Sequence, residues 1–250
     1  MYNNPAGTTS FFETFRPLVE HSAHCEIVIC PSYLDVENAV IATRGTTIRI
    51  GAQNLYWAKD GAFTGEVSAS MIKASGCSHV IVGHSERRKY FGETNESVLR
   101  KTVAAIEAGL KPIVCVGELD KKDVEVTLRE QFRAGISPLS NWQFAGIVIA
   151  YEPVWAIRAG KTASPEFAAD AHRLIRAQVK DRFGAEAANG IRILYGGSVK
   201  PDNATSLTAQ CEIDGFLVGG ASLDPVSFAE LVNLDHGKFS AGTREDSVLV

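Results

Sequence analysis

The sequence lacks any run of about 18 consecutive apolar residues, which is the length that a membrane-spanning helix needs. We therefore expect no membrane span. Basic runs are also absent, and 25 Lys and Arg against 29 Asp and Glu give a net charge of −4. This acidic balance argues against nucleic acid or an anionic membrane surface as a partner. The first seven residues have neither the apolar segment of a secretion signal nor the positive charge of a transit peptide.

Cysteine is sparse. Five cysteines, an odd number, are scattered along the chain at positions 25, 30, 77, 115 and 211, mostly inside apolar runs. Their spacing matches no metal motif, and we expect free thiols in a reducing compartment. The sequence thus predicts a cytoplasmic globular protein.

Buried-strand patterns alternate with helical patterns along the whole chain, with a period of roughly 30 residues. The seven strand patterns cover residues 26–31, 47–52, 79–83, 112–117, 147–151, 191–195 and 213–218. Such alternation requires an α/β fold with parallel strands joined by helices. A doubly wound sheet would accommodate seven strands, whereas an eightfold barrel needs one more. Because the chain opens with a helix, the missing first strand of a barrel should lie just before Met1.

The alternation ends near Val232. We therefore divide the chain into a barrel domain, residues 1–232, and a polar C-terminal tail, residues 233–250. The tail finishes on the apolar residues of Ser247-Val-Leu-Val250. A frayed terminus is the simpler interpretation. The alternative is that these last four residues dock in the gap left by the absent first strand, since the last and first strands of a barrel are neighbours.

The chemistry is expected around Glu152, which ends a continuous apolar strand pattern and is followed at once by Pro153. A carboxylate at the carboxyl end of a buried parallel strand lies where α/β folds bind ligands. Residues 153–162 show no strand or helix pattern, and Ser164-Pro165 then begins a helix. We expect a loop that can fold over the acid. An ordinary glutamate with a surface connection is the plainer alternative.

Three further strand ends carry polar groups. His84 follows one strand directly, and the last two strands end in the Gly-Gly pairs at residues 196–197 and 219–220. Paired glycines let backbone N–H groups approach an anion, and the loops after the last two strands of a barrel commonly bind phosphate. Each feature alone has a plain structural explanation, a core imidazole or a tight turn. Together they indicate one site that binds a phosphorylated ligand.

At these motifs the chain resembles the triosephosphate isomerase family. The matching segments are Gly61–Glu66, Gly83–Arg88, Ala150–Ile157, Gly160–Thr162, Leu194–Ser198 and Gly215–Ser222. The resemblance runs in order from residue 1 to about residue 232. It implies a (β/α)8 TIM barrel, a homodimer, no cofactor, and interconversion of dihydroxyacetone phosphate and D-glyceraldehyde 3-phosphate in glycolysis and gluconeogenesis.

The resemblance also implies roles for individual residues. Glu152 matches the base that moves a proton between adjacent carbons, and His84 matches the neutral imidazole that polarises the substrate oxygens. This pairing is the established one of the family, so it is carried over and not worked out from the residues. Glu86 matches a carboxylate just behind the site. The residues that match phosphate binders are Ser198, Gly219 and Gly220, with no metal.

Residues Gln53–Glu66 match the loop that family members insert into a partner subunit, with Thr64 at its tip. From the residues alone this loop could equally be a solvated hairpin. The segment after Glu118 is about four residues shorter than is usual in the family, a change expected to have little bearing on the site.

Two departures from the family concern the substrate phosphate. The family's first strand ends in Asn-x-Lys, and neither residue is present before Met1. A unit charge at about 4 Å, with an effective dielectric constant of about 20, is worth roughly 4 kcal/mol, or about a thousandfold in rate. A chain starting at Met1 is therefore expected to be an impaired isomerase or a non-catalytic phosphate-binding or assembly-forming barrel, unless the working protein is longer.

The second departure is Arg158-Ala159, where the family has Gly-Thr. Arg158 is either a solvated cation at the loop tip or a guanidinium that reaches the substrate phosphate.

Overall fold

The computed structural model describes residues 2–158, 160–234 and 247–249, and for Arg158 and residues 247–249 it describes only the course of the backbone. None of the described helices is long and apolar enough to cross a membrane.

The strands form a closed parallel barrel in which each strand pairs with the next along the chain. They are β1 Cys25–Ile29, β2 Arg49–Ala52, β3 His79–Val82, β4 Lys111–Val116, β5 Val148–Tyr151, β6 Ile193–Tyr195, β7 Gly215–Phe216 and β8 Ser247–Leu249. All seven strands predicted from the sequence form, some of them shorter than predicted. The predicted α/β TIM-barrel class is confirmed.

The eighth strand comes from the C-terminus. β8 runs parallel to β1, from the pair Cys25↔Ser247 to the pair Ile27↔Leu249, and it also pairs with β7. The frayed-terminus interpretation is therefore wrong for residues 247–249, and docking between the last and first strands is confirmed for them. Residues 235–246 and Val250, the rest of the predicted tail, lie outside the described residues. The domain boundary at residue 232 stays a prediction.

Helices surround the barrel. They are α1 Pro5–Val19, α2 Val36–Ala42, α3 Ala69–Ala74, α4 Ser85–Phe91, α5 Asn95–Glu107, α6 Val124–Gly135, α7 Asn141–Phe144, α8 Val154–Arg158, α9 Pro165–Phe183, α10 Ala185–Gly190, α11 Pro201–Thr208 and α12 Pro225–Val232. The side chain of Asn4 caps α1 and that of Ser164 caps α9, and each helix has Pro at its start. Helices alternate with the strands along the described chain, as the sequence pattern predicts.

Part of the prediction for residues 153–162 was wrong, since α8 occupies its first half. The carbonyl oxygen of Pro153 accepts hydrogen bonds from the N–H groups of Ala156 at 2.9 Å and Ile157 at 3.1 Å. Pro153 itself has no N–H to satisfy, so it is compatible with a helix start. A helix of five residues is too short to show helical periodicity in sequence, which is why the pattern did not reveal it.

Two layers of apolar side chains hold the barrel together. One fills the barrel interior and the other lies between the sheet and the helices. The interior set comprises Val28, Ile81, Ile113, Cys115, Val148, Ala150, Leu194 and Leu217. Side chains alternate between the two faces of a strand, so every second residue points the same way. Val148 and Ala150 point into the barrel, and Glu152 therefore does so too. The barrel register therefore directs this carboxylate inward at the mouth.

Candidate active site

Glu152 is buried, with 2% of its surface exposed. Its Oε2 accepts a hydrogen bond from the N–H of Ser85 at 2.9 Å, and its Oε1 accepts one from the Ser85 hydroxyl at 2.8 Å. The Nε2 of His84 lies 3.1 Å from the same Oε1. The two residues predicted to carry the chemistry, His84 and Glu152, thus lie in direct contact although they are far apart in sequence.

The protonation of His84 follows from its hydrogen bonds. Its Nδ1 accepts a hydrogen bond from the N–H of Glu86 at 3.3 Å, in the first turn of α4. A ring nitrogen that accepts from an N–H carries no proton, so the imidazole is neutral and its proton lies on Nε2. The backbone N–H at the start of α4 thus favours the neutral ring.

Glycine is required behind the base. A Cβ at Gly117 would lie 1.8 Å from the carbonyl oxygen of Glu152, and the N–H of Glu152 donates to Val116 at 2.8 Å. The backbones of β4 and β5 approach so closely here that no side chain fits between them. The end of β4 therefore fixes the backbone that carries Glu152.

Glu86 lies at the edge of this group. Its side chain is 73% exposed, and its Oε2 lies 3.8 Å from the Nδ1 of His84, which is longer than a hydrogen bond. Its backbone N–H contacts His84 more closely than its carboxylate does.

The segment that follows the base is anchored at its start. Trp155 donates a hydrogen bond from its indole Nε1 to Oε1 of Glu118 at 2.7 Å, and Tyr151 donates to the same oxygen at 2.9 Å. Glu118 is fully buried, and burial raises the pKa of its carboxyl, while the two hydrogen bonds oppose that rise. Sequence reasoning missed Ser85 and Glu118 as site residues, although both directly follow residues that it had placed at strand ends.

The same segment is anchored at its end to the loop after β6. Thr162 donates from its hydroxyl to the carbonyl of Ser198 at 3.1 Å, and the N–H of Ala163 donates to the Tyr195 hydroxyl at 3.3 Å. Burial raises the pKa of Tyr195 to about 12, so its hydroxyl stays protonated. A Cβ at Gly197 would lie 2.2 Å from that hydroxyl oxygen. We call residues 153–162 the lid.

The predicted phosphate-binding residues lie on the loops after β6 and β7. Ser198 is half-buried, while Gly219 and Gly220 are exposed and begin a short 3-10 turn. A Cβ at either glycine would meet no atom within 4 Å, so the space around their backbones is open to a ligand. The side chain of Arg158 lies outside the described residues, so its predicted role stays untested.

The shortened segment after β4 borders the base. Leu119, Asp120 and Asp123 line a cavity of about 350 Å³ together with Ser85 and Glu152. The expectation that the shortening has little bearing on the site stays a prediction. Among the described residues, no group of three or more His, Cys, Asp and Glu is placed to hold a metal ion.

Comparison with known proteins gives one consistent answer. The family model described as triosephosphate isomerase matches residues 1–235. A triosephosphate isomerase of Solibacter usitatus is 65% identical over 237 residues, covering 93% of this chain and 95% of the relative, and that of Moorella thermoacetica is 48% identical over 239 residues, covering 94% and 95%. The crystal structure of triosephosphate isomerase from Bartonella henselae is 34% identical, covers 92% of this chain and 94% of its own, and superposes with a TM-score of 0.82. The chain therefore belongs to the triosephosphate isomerase family.

Proposed function

We propose that this chain interconverts dihydroxyacetone phosphate and D-glyceraldehyde 3-phosphate, with Glu152 as the base and His84 as the proton donor to the substrate oxygens. The observation that carries the proposal is the contact of a buried carboxylate with an imidazole whose proton lies on Nε2. Family membership supports an isomerase and a triose phosphate as its substrate.

The reaction needs one movement of the base. Glu152 leaves Ser85 and takes a proton from the carbon beside the substrate carbonyl, while Nε2–H of His84 donates a hydrogen bond to the carbonyl oxygen. The electron pair of the broken C–H bond forms the enediolate. Return of the proton to the neighbouring carbon, with proton exchange between the two oxygens, completes the isomerisation. No other reactant is consumed.

The lid and the phosphate loops supply the remaining requirements. The lid carries Trp155 and Thr162 at its two anchors, so closure over the substrate would exclude water from Glu152. Exclusion of water strengthens each charge interaction in the site. The backbone N–H groups at Ser198, Gly219 and Gly220 are proposed to bind the substrate phosphate.

A coupled assay with D-glyceraldehyde 3-phosphate tests the proposal. The purified chain should convert D-glyceraldehyde 3-phosphate to dihydroxyacetone phosphate. Glu152→Gln should lower kcat by about a thousandfold because the amide cannot accept the proton. His84→Gln should lower kcat by about a hundredfold or more. Glu86→Gln is the matched control, because it removes the charge of the exposed carboxylate and keeps the backbone N–H that contacts His84. Its kcat should fall by less than about tenfold. Absence of turnover in a folded chain would contradict the proposed function.

The alternative, a catalytically impaired phosphate-binding or assembly-forming barrel, rested on the absent Asn-x-Lys. The comparisons do not favour it, since a relative that is 65% identical bears the isomerase name. The value of kcat/KM decides the matter. A value lowered about a thousandfold from that of the Moorella relative, measured side by side, would match the loss of one charge near the phosphate.

A homodimer formed through Gln53–Glu66 is also proposed. The aromatic side chains of this loop cluster, with Tyr56 stacked on Trp57 at 4.2 Å and tilted against Phe63 at 4.6 Å between ring centroids. Phe63 is 43% exposed, and Tyr90 and Phe91 on α4 are also exposed. Exposed aromatic residues of this kind are enriched at interfaces between subunits. Sedimentation should give a dimer, and Phe63→Asp should shift it toward the monomer; a wild-type monomer would contradict the proposal.

The cytoplasmic location stays a proposal. It is supported by the cysteines at positions 30, 77 and 115, which are free thiols. Cell fractionation would test it.

A further inference from the structure

The strand that carries the phosphate loop is only two residues long. β7, Gly215–Phe216, pairs with β6 through the single residue pair Tyr195↔Phe216. Two backbone hydrogen bonds support this side of β7, from Asp214 to Ile193 at 3.1 Å and from Leu217 to Tyr195 at 3.0 Å. The pairing between β6 and β7 is thus limited to one residue pair.

The C-terminal strand supplies more pairing to β7 than β6 does. β8 pairs with β7 at Gly215↔Val248 and Phe216↔Leu249. It also pairs with β1 at three positions, whereas β1 and β2 share two. Both strands next to β8 therefore depend on it for the larger part of their residue pairs. Without β8, β1 and β7 would be edge strands with unpaired backbone groups.

β8 lies outside the part of the chain that matches the family. The family model covers residues 1–235, and β8 begins at Ser247. The barrel is therefore closed by a segment that family membership does not account for.

We propose that β8 is a positioning strand for the phosphate loop, so that phosphate binding by this chain depends on its C-terminal residues 247–249. Leu217 and Val218 join β7 directly to Gly219 and Gly220, and both are buried. A shift of β7 would therefore move the two glycine amides. Amides bind an anion strongly only when they are held in place before the ligand arrives. This inference rests on the proposed function, because it concerns how β8 holds the phosphate-binding loop of that same site.

The test uses the full chain, the variant Val248→Pro and the matched variant Val248→Ala. Proline removes the N–H at the centre of β8, whereas alanine keeps it. Truncation after Val248 is a milder variant, because it removes only the two pairs made by Leu249. Two quantities are measured: hydrogen exchange of the amides in β7 and β4, and the dissociation constant of inorganic phosphate obtained by titration. Neither measurement requires turnover.

We expect Val248→Pro to speed exchange in β7 by about tenfold or more and to leave exchange in β4 unchanged. The dissociation constant of phosphate should rise about tenfold, the effect of losing one hydrogen bond to a charged group. In the coupled assay KM should rise while kcat changes little. Val248→Ala should resemble the full chain in all three measurements, and the truncated chain should lie between.

Three results would overturn the proposal. Unchanged exchange in β7 would mean that β8 does not hold it. Faster exchange in β7 with unchanged phosphate affinity would limit β8 to a structural role. If Val248→Pro unfolds, so that β4 also exchanges fast, the truncated chain decides: it must bind phosphate more weakly while β4 stays protected, and normal affinity contradicts the proposal. Loss of turnover in the full chain, with phosphate binding retained, would instead count against the proposed function alone.

Discussion

Ser85 holds both carboxylate oxygens of Glu152, one through its backbone N–H at 2.9 Å and the other through its hydroxyl at 2.8 Å. The carboxylate thus has a defined position, and the proposed reaction requires it to leave that position to reach a substrate carbon. Two hydrogen bonds to a charged, buried group stabilise that position.

Ser85→Ala should lower the free energy of unfolding by about 1.5–3 kcal/mol, because Oε1 of Glu152 loses the hydroxyl donor while the backbone bond remains. Urea unfolding measures the change. We expect kcat to change by less than about tenfold, since the base itself is intact. Ser10→Ala, at an exposed position of α1, is the control and should stay within about 0.5 kcal/mol of the unsubstituted chain. Equal effects of the two substitutions would show that the hydroxyl contributes nothing.

Trp155→Phe should loosen the lid at its first anchor. The substitution removes the indole donor to Glu118, a bond of 2.7 Å, and leaves that buried carboxylate with Tyr151. Loss of a hydrogen bond to a charged group costs about 1.5–3 kcal/mol, so hydrogen exchange at residues 154–158 should accelerate by about tenfold or more. Trp142→Phe, at a side chain that is 70% exposed, is the matched control. Protection of the lid that survives Trp155→Phe would rule out this anchor.

Arg158→Gly tests whether the cation at the end of α8 assists phosphate binding. If the guanidinium reaches the substrate, KM for D-glyceraldehyde 3-phosphate should rise about tenfold, the contribution of one charge-assisted hydrogen bond. Arg158→Lys keeps the positive charge but lacks the paired N–H donors of the planar guanidinium, so it should give a smaller rise in KM. An unchanged or lower KM in the glycine variant would identify Arg158 as a solvated cation.

His172 should make the fold sensitive to acid. The ring is fully buried, its Nδ1 lies 3.1 Å from the carbonyl of Glu212, and desolvation lowers its pKa from 6.5 to about 3. Between those pH values the unfolded chain binds a proton that the folded chain does not. The free energy of unfolding should therefore fall by about 1.4 kcal/mol per pH unit as the pH drops below about 6.5.

Denaturant unfolding at several pH values measures this slope. His172→Gln removes the titrating group and can still donate to Glu212. Its free energy of unfolding should therefore fall less steeply between about pH 6 and pH 4, by about 1.4 kcal/mol per pH unit, the contribution of one proton. His79 is also buried, and its pKa is lowered to about 4, so part of the acid sensitivity should persist. An identical slope with and without His172 would contradict the prediction.

Much of the site could be predicted because its residues follow strands directly. The pattern that marks β5 ends at Glu152, the pattern that marks β3 ends just before His84, and parallel strands bring their carboxyl ends together. Ser85 was missed because nothing in its neighbourhood shows that its N–H and hydroxyl face a glutamate 67 residues away. The helix α8 was missed because five residues are too few for a helical period.

The sequence by itself determined the order of strands and helices, the α/β class and the family, because apolar periodicity and local motifs depend on near neighbours in the chain. Only the tertiary structure decided which residue holds Glu152 at rest, where the lid is anchored, and which strand closes the barrel. Each of these depends on backbone pairing or hydrogen bonds between residues far apart in sequence. The position of β8 shows this most directly, since Ser247 pairs with Cys25 only because closure of the barrel places the two ends of the chain side by side.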